Sequence, residues 1–332
     1  MDKKIYFKLG KHNITSPVVL APMLGVNCSS FRLMCAEYGA GLVYTGMIDC
    51  EEFVKLSNSD KKKKLNILKN EQPISAQIIG SGGENVVETV KFLDSLPEIS
   101  AIDLNFSCPM PEFLSRKMGA FFLKHPEQIG KMINSVMDNT NKPISAKIRL
   151  GWDKHAINCV DVSKILKDFG VCGVAIHGKT RREVYSGSAN WDPIKTVKKE
   201  VGCDSSDSSE EFFVIGNGDI CKPGHVKYYL EREYCDAVMI GREAKGNPFL
   251  FRRCVELMHK GQNVSEPSFK QKKDLFLDFL DKYKKYETKI RLSEVKDHAS
   301  WFLKGFGKKR YLMDRVDRAK TFNDILDIAQ DC

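Results

Sequence analysis

Short, almost uninterrupted apolar runs recur along the first three quarters of the chain. They cover residues 18–23, 42–48, 73–80, 101–108, 143–150, 173–177, 212–216 and 237–240. A run that is apolar at successive rather than alternate positions suits a strand buried on both faces, as in a parallel sheet. Between the runs, the apolar residues switch to helical spacing with start signals in front. Asn27 or Ser29 would cap a helix through Phe31, Met34 and Cys35. Glu84 and Asn85 precede Val86, Val87, Val90 and Leu93, and Pro126, Pro193 and Pro223 stand where a first helical turn accepts proline.

Eight such repeats predict an α/β fold of the (β/α)8 TIM-barrel type. The main alternative is an open doubly wound sheet, but no G-x-G-x-x-G follows the first run. From about residue 267 the strand-like runs stop. Phe269, Leu275, Phe279 and Leu280, then Val295, Trp301, Phe302 and Leu303, then Phe322, Ile325 and Ile328 fall at helical spacing. The expected organisation is therefore a barrel over residues 1–262 and a small helical domain over residues 267–332. Its most basic stretch is KGFGKKR at 304–310. The acidic, low-complexity stretch 204–211 would be a surface loop on the side of the barrel away from the active site.

Composition narrows this picture only a little. The 332 residues are 42% hydrophobic and 29% charged, enough for a sizeable core. No apolar run approaches the roughly 18 residues a membrane span needs, and MDKKIYFKLG lacks a signal-peptide core. A cytoplasmic monomer without membrane association is expected. Eleven cysteines with no C-x-x-C pair argue against a disulfide framework and against a metal site. The net charge of +9 is compatible with an anionic partner without establishing one.

In a barrel of this type the informative positions are polar residues at the C-terminal strand ends. Gln77 stands near the end of the third run, Asn105 and Cys108 at the fourth, Lys147 and Arg149 on the fifth and His177 at the sixth. The seventh ends in Asn217, Gly218 and Asp219, and the eighth in Gly241 and Arg242. Polar groups at six strand ends suggest one ligand site. The glycine turns after the last two strands suit a phosphate, with Gly216 and Gly218 admitting its close approach and Arg242 neutralising it. Lys147 would form a Schiff base, stabilise an anion or pair with a carboxylate. Lys179, Arg181 and Arg182, just beyond His177, suit phosphate or RNA-backbone contacts.

These residues sit in APMLGVNCSSFR (21–32), QIIG (77–80), DLNFSCP (103–109), KMGAFFL (117–123), KIRLGW (147–152), HGKTRREVYSGSANW (177–191), GNGDI (216–220) and VMIGREAKGNPFLF (238–251). Together, in this order, they resemble the tRNA-dihydrouridine synthase family, as does HASW (298–301) in the tail. The resemblance implies bound FMN reloaded by NADPH or NADH, a nicotinamide dinucleotide partner, and uridine in tRNA as substrate. It implies that Pro22 and Met23 lie along the flavin, that Gln77 and Lys147 contact its rings and that His177 lies beside it. Asn217, Gly218, Asp219, Gly241 and Arg242 would hold its phosphate end. Cys108 matches the catalytic cysteine, Asn105 would orient the base, and Arg149, Lys179, Arg181 and Arg182 would meet the RNA, with the tail helping to grip it. Four positions depart from the usual pattern: Asn27-Cys28 for Thr-Asp, Gly46 for Glu, Ser107 for Gly and Glu243 for Gly. A flavin barrel acting on a free pyrimidine, as dihydroorotate dehydrogenases do, and an RNA-binding barrel without catalysis remain the alternatives.

Overall fold

The computed structural model describes residues 4–183, 187–202, 212–307 and 309–332. The stretch 204–211 and Lys308 lie outside them. An antiparallel hairpin, β1 (Phe7–Leu9) and β2 (His12–Ile14), opens the chain. Nine strands follow: β3 (Val18–Leu20), β4 (Val43–Tyr44), β5 (Ile48–Asp49), β6 (Ile74–Ile79), β7 (Ala101–Asn105), β8 (Ile144–Arg149), β9 (Gly173–His177), β10 (Phe213–Asn217) and β11 (Ala237–Ile240). All pair in parallel, in the order β3-β11-β10-β9-β8-β7-β6-β4, with β5 beside the far end of β6. The second apolar run is thus one barrel strand broken at 45–47. Backbone hydrogen bonds from Leu20 N to Leu42 O (2.9 Å) and Gly41 N to Val18 O (2.8 Å) join β3 to the approach of β4. The sheet closes into the expected TIM barrel.

Two apolar layers follow from the pleat, because successive side chains of a strand point to opposite faces. Val19, Ala21, Leu42, Tyr44, Ala101, Ile215 and Met239 fill the interior, and Phe7, Leu9 and Ile14 of the hairpin join them. The Phe7 ring lies 4.5 Å from that of Phe213, so the hairpin plugs the end opposite the strand C-termini. Strands of three residues carry no readable period, so this plug is not legible in the sequence.

The outer layer packs strands against helices and continues without a break into the tail. Four helices form the tail: Phe269–Tyr286, Leu292–Phe302, Lys309–Arg318 and Phe322–Gln330. The third begins inside the basic stretch and was not anticipated. Polar contacts also cross the connection: Glu287 accepts from Ser30 N and Ser30 Oγ (both 2.9 Å) and from Asn66 Nδ2 (3.1 Å). Phe279 is fully buried among His298, Tyr283 and Phe302. Phe279→Ala should cost about 3–5 kcal/mol, read from urea unfolding followed by far-ultraviolet circular dichroism. A loss below about 1 kcal/mol would mean that the tail core is loosely packed.

Candidate active site

Every residue assigned above to a strand end lines one cavity of about 630 Å³ at the C-terminal end of the barrel. Its floor is a chain of amides fixed by a carboxylate. Asp103, fully buried on β7, accepts from Ser145 Oγ (2.6 Å) and Gln77 Nε2 (2.7 Å). Gln77 Oε1 in turn accepts from Asn105 Nδ2 (2.8 Å). Asn105 Oδ1 is left to accept from the backbone N–H of Ser107 (3.0 Å) and Cys108 (2.9 Å). Burial raises the Asp103 carboxyl to about 6, against the pull of Gln77, Ser145 and Lys147.

Cys108 is half-buried, three residues beyond β7. Its carbonyl accepts from Ala120 N (3.0 Å). Gly119 is required beside it: φ is +62°, and a Cβ would come within 2.8 Å of the Cys108 oxygen. Ile79, Phe113 and Met118 pack there with Met47. This burial pushes the thiol above its ordinary value, so it keeps its proton at neutral pH. Arg116 ties the same loop to the β5 end, with 2.7 and 2.9 Å bonds to Asp49 and 2.7 Å to Glu51.

Lys147 rises from β8 with Nζ 3.3 Å from Asn217 Oδ1. Asn217 Nδ2 donates to Met239 O (2.8 Å). Desolvation, then Arg149, lowers the Lys147 ammonium to about 7. Asp103 pulls the other way, so the value reflects burial beside a second cation. His177 is driven far below its ordinary value by burial and by Lys147, Arg149, Lys179 and Arg242, so its imidazole is neutral. Arg149 donates to Ser107 O (2.7 Å) and Thr180 O (3.1 Å), fastening two mouth loops from below.

At the other wall, Arg242 donates to Asp219 Oδ1 (2.9 Å), and Asp219 Oδ2 accepts from Ala189 N (2.8 Å). Asp219 thus holds Arg242 to the loop after β9. The glycines differ. A Cβ on Gly241 would meet Ala21 and Met23 only in ordinary contact (3.6 and 4.0 Å), whereas a Cβ on Gly216 would fall inside the Trp191 ring. Gly216 is small for packing and not for a phosphate, contrary to the expectation. Lys179, Arg181 and Arg182 stay outside the cavity. Lys179 is buried, donating to Gly187 O (2.8 Å) with Asp219 3.4 Å away. Arg181 lies over the Trp152 ring (4.7 Å), with Lys124 on the same ring at 5.5 Å. Arg182 is exposed, 3.7 Å from Asp153.

The dihydrouridine synthase family model matches residues 19–331. The chain is 31% identical over 301 residues to tRNA-dihydrouridine synthase B of Pasteurella multocida (strain Pm70), covering 90% of this chain and 87% of that one. It is 31% identical over 300 residues to the enzyme of the same name from Vibrio vulnificus (strain CMCP6), covering 90% and 89%. The chain belongs to the dihydrouridine synthase family. Forming dihydrouridine reduces uracil, which places the chain among the oxidoreductases. Among solved structures, the fold resembles TcOYE with pHBA (13% identity, TM-score 0.54, 85% of this chain and 98% of that one). It also resembles histamine dehydrogenase from Rhizobium sp. 4-9 (10% identity, TM-score 0.55, 83% and 50%).

Several cavity residues of this dihydrouridine synthase homologue escaped the sequence reading. Met47 Sδ lies 3.3 Å from Asn105 Nδ2, and Leu24 and Met110 stand exposed at the mouth. Asp103 was the legible omission, because a carboxylate inside an otherwise apolar run is a signal in itself. The low Lys147 value has a consequence. The unfolded chain holds the proton up to about 10.5 and the folded chain only to about 7, so unfolded protein binds more protons between these values. Stability of the cofactor-free protein should therefore rise with pH across that window, by up to about 1.4 kcal/mol per pH unit. Lys147→Met should flatten the rise in urea titrations, and an unchanged slope would refute the assignment.

Proposed function

We propose that this chain is an FMN-dependent tRNA-dihydrouridine synthase that uses NADPH or NADH and acts in the cytoplasm on uridine in tRNA. The observation that carries the reading is the placement of Cys108: a protonated thiol, fixed through its own backbone, opens on the same cavity as Lys147 and Arg242. The donor set suits a flavin mononucleotide. Lys147 and the Gln77 and Asn105 amides face a polar ring edge. Arg242 beside the Gly241 turn faces a phosphate, with Gly218 in the adjoining turn. Pro22, Met23 and His177 complete the walls. When bound, the flavin, reloaded by a nicotinamide dinucleotide, supplies the hydride for C6 of uracil.

The chain's own part is the proton. Reduction at C6 leaves C5 in need of one, and Cys108 delivers it from a thiol that burial keeps protonated. Asn105, oriented by Gln77, presents an amide to the base edge. The uridine must leave its stack to reach this depth. The β7–β9 rim suits the flanking strand: Lys124 and Arg181 share the Trp152 ring, and neither has a carboxylate partner among the described residues. A cation held by a π face keeps its charge available to a phosphate. Arg182 adds to this rim, and the tail helices extend the basic surface. A free pyrimidine would not need such a rim.

Cys108→Ala should retain flavin and its reduction by NADPH while slowing dihydrouridine formation about 10²–10⁴-fold, the usual worth of a general acid. Near-normal turnover of tRNA by this variant would exclude the role. Lys124→Gln with Arg181→Gln should weaken tRNA binding and reduce the salt slope by about 1–2 units. An unchanged affinity and slope would leave the rim a solvated surface.

A further inference from the structure

One tail helix touches both loops that flank the proposed phosphate end. Toward the turn after β11, Lys245 Nζ lies 4.5 Å from the centre of the Trp301 ring. Gly246 has φ +64°, and a Cβ there would fall within the Trp301–Phe302 peptide group. Lys304 Nζ lies 4.0 Å from Glu243, itself a cavity residue. Toward the loop after β3, His298 Nε2 lies 3.1 Å from Val26 O and 3.5 Å from Cys28 Sγ.

The two loops also meet on the cavity side. Val26 N (3.2 Å) and Asn27 N (3.3 Å) both donate to Met23 O, so holding Val26 holds Met23. A Cβ built on Gly241 would stand 4.0 Å from Met23 Sδ. His298 is fixed in turn by the tail core, its ring stacked 4.4 Å from Phe279 and edge-on to Trp301 at 4.7 Å. Burial keeps its imidazole neutral, at about 3, so one protonation state serves across the working pH range.

We propose that Trp301 and His298 are positioning residues of the cofactor site, with the helix Leu292–Phe302 setting the spacing between the Met23 loop and the Gly241–Arg242 turn. Retention of the flavin phosphate then depends on the tail, even though no described tail residue lines the cavity. The inference rests on the reading that this cavity holds FMN.

The experiment compares full-length wild type, Trp301→Ala, Trp301→Phe and Gly246→Ala loaded with FMN, following flavin release by its fluorescence after dilution. Trp301→Ala should release FMN faster by on the order of tenfold. Trp301→Phe keeps a ring under Lys245 and should restore release to within about twofold of wild type. Gly246→Ala should resemble Trp301→Ala. If it does not fold, the alanine–phenylalanine comparison at Trp301 decides alone, with equal unfolding midpoints of the cofactor-free chains excluding a merely structural loss. Wild-type release from Trp301→Ala overturns the inference and leaves the FMN reading standing. A wild-type chain that binds no FMN overturns both.

Discussion

The floor of the site depends on one buried carboxylate. Asp103, while ionised, can only accept hydrogen bonds. Gln77 must therefore turn its Nε2 to Asp103 and its Oε1 away, and Asn105 must offer its Nδ2 to that oxygen. The only orientation left puts Asn105 Oδ1 under the amides of Ser107 and Cys108. An amide side chain can otherwise flip at little cost. Here three groups are locked in sequence, and the last of them sets where the thiol stands. The carboxylate needs its partners equally: without Ser145, Gln77 and the charge of Lys147, burial alone would favour the neutral acid.

Around this floor, the mouth loops are held by groups that bridge different βα units. Asn27 donates to Ala21 O and Tyr44 O (both 2.9 Å), spanning the seam where the barrel closes. Arg149 fastens the loops after β7 and β9 to its own strand, and Arg116 joins the Cys108 loop to the β5 end. Arg32 is buried in a bidentate pair with Glu71 (2.8 Å at both contacts) and also donates to Asn27 O (2.8 Å). Loops fixed at both ends and along their length lose little entropy when a ligand arrives.

The barrel was legible because its strands are buried on both faces, which leaves an apolar run that needs no partner to be read. The positions of Gln77, Asn105, Lys147, His177 and Arg242 followed from topology alone, since a parallel barrel puts all its strand ends in one ring. What was not legible depends on contacts distant in sequence. Asn27 reads as a helix cap, yet Cys28 occupies the cap position and Asn27 crosses the seam. Gly216 reads as a phosphate turn until Trp191 is seen against it. Lys179 reads as a contact for phosphate or RNA backbone until its ammonium is found on Gly187 and Asp219. In each case the local sequence allows two uses of the residue, and a partner 17 or more residues away selects one.

The same distinction bears on the four departures from the usual family pattern. Ser107 needs no glycine, because its φ is not positive and only its backbone is engaged. Gly46 leaves open space, the nearest atom to an added Cβ being Met23 O at 3.8 Å. The other two departures converge on one place. Cys28 caps the helix Ser29–Glu37 without a side-chain bond to its backbone and instead puts its thiol beside His298. Glu243, where glycine is usual, reaches toward Lys304 of the tail. A carboxylate at position 28 would draw a proton onto His298, and a glycine at 243 could make no ion pair. The contact between the tail and the two proposed cofactor loops is therefore where two of the four departures meet, whereas none of the four falls on the carboxylate, amides or thiol of the floor.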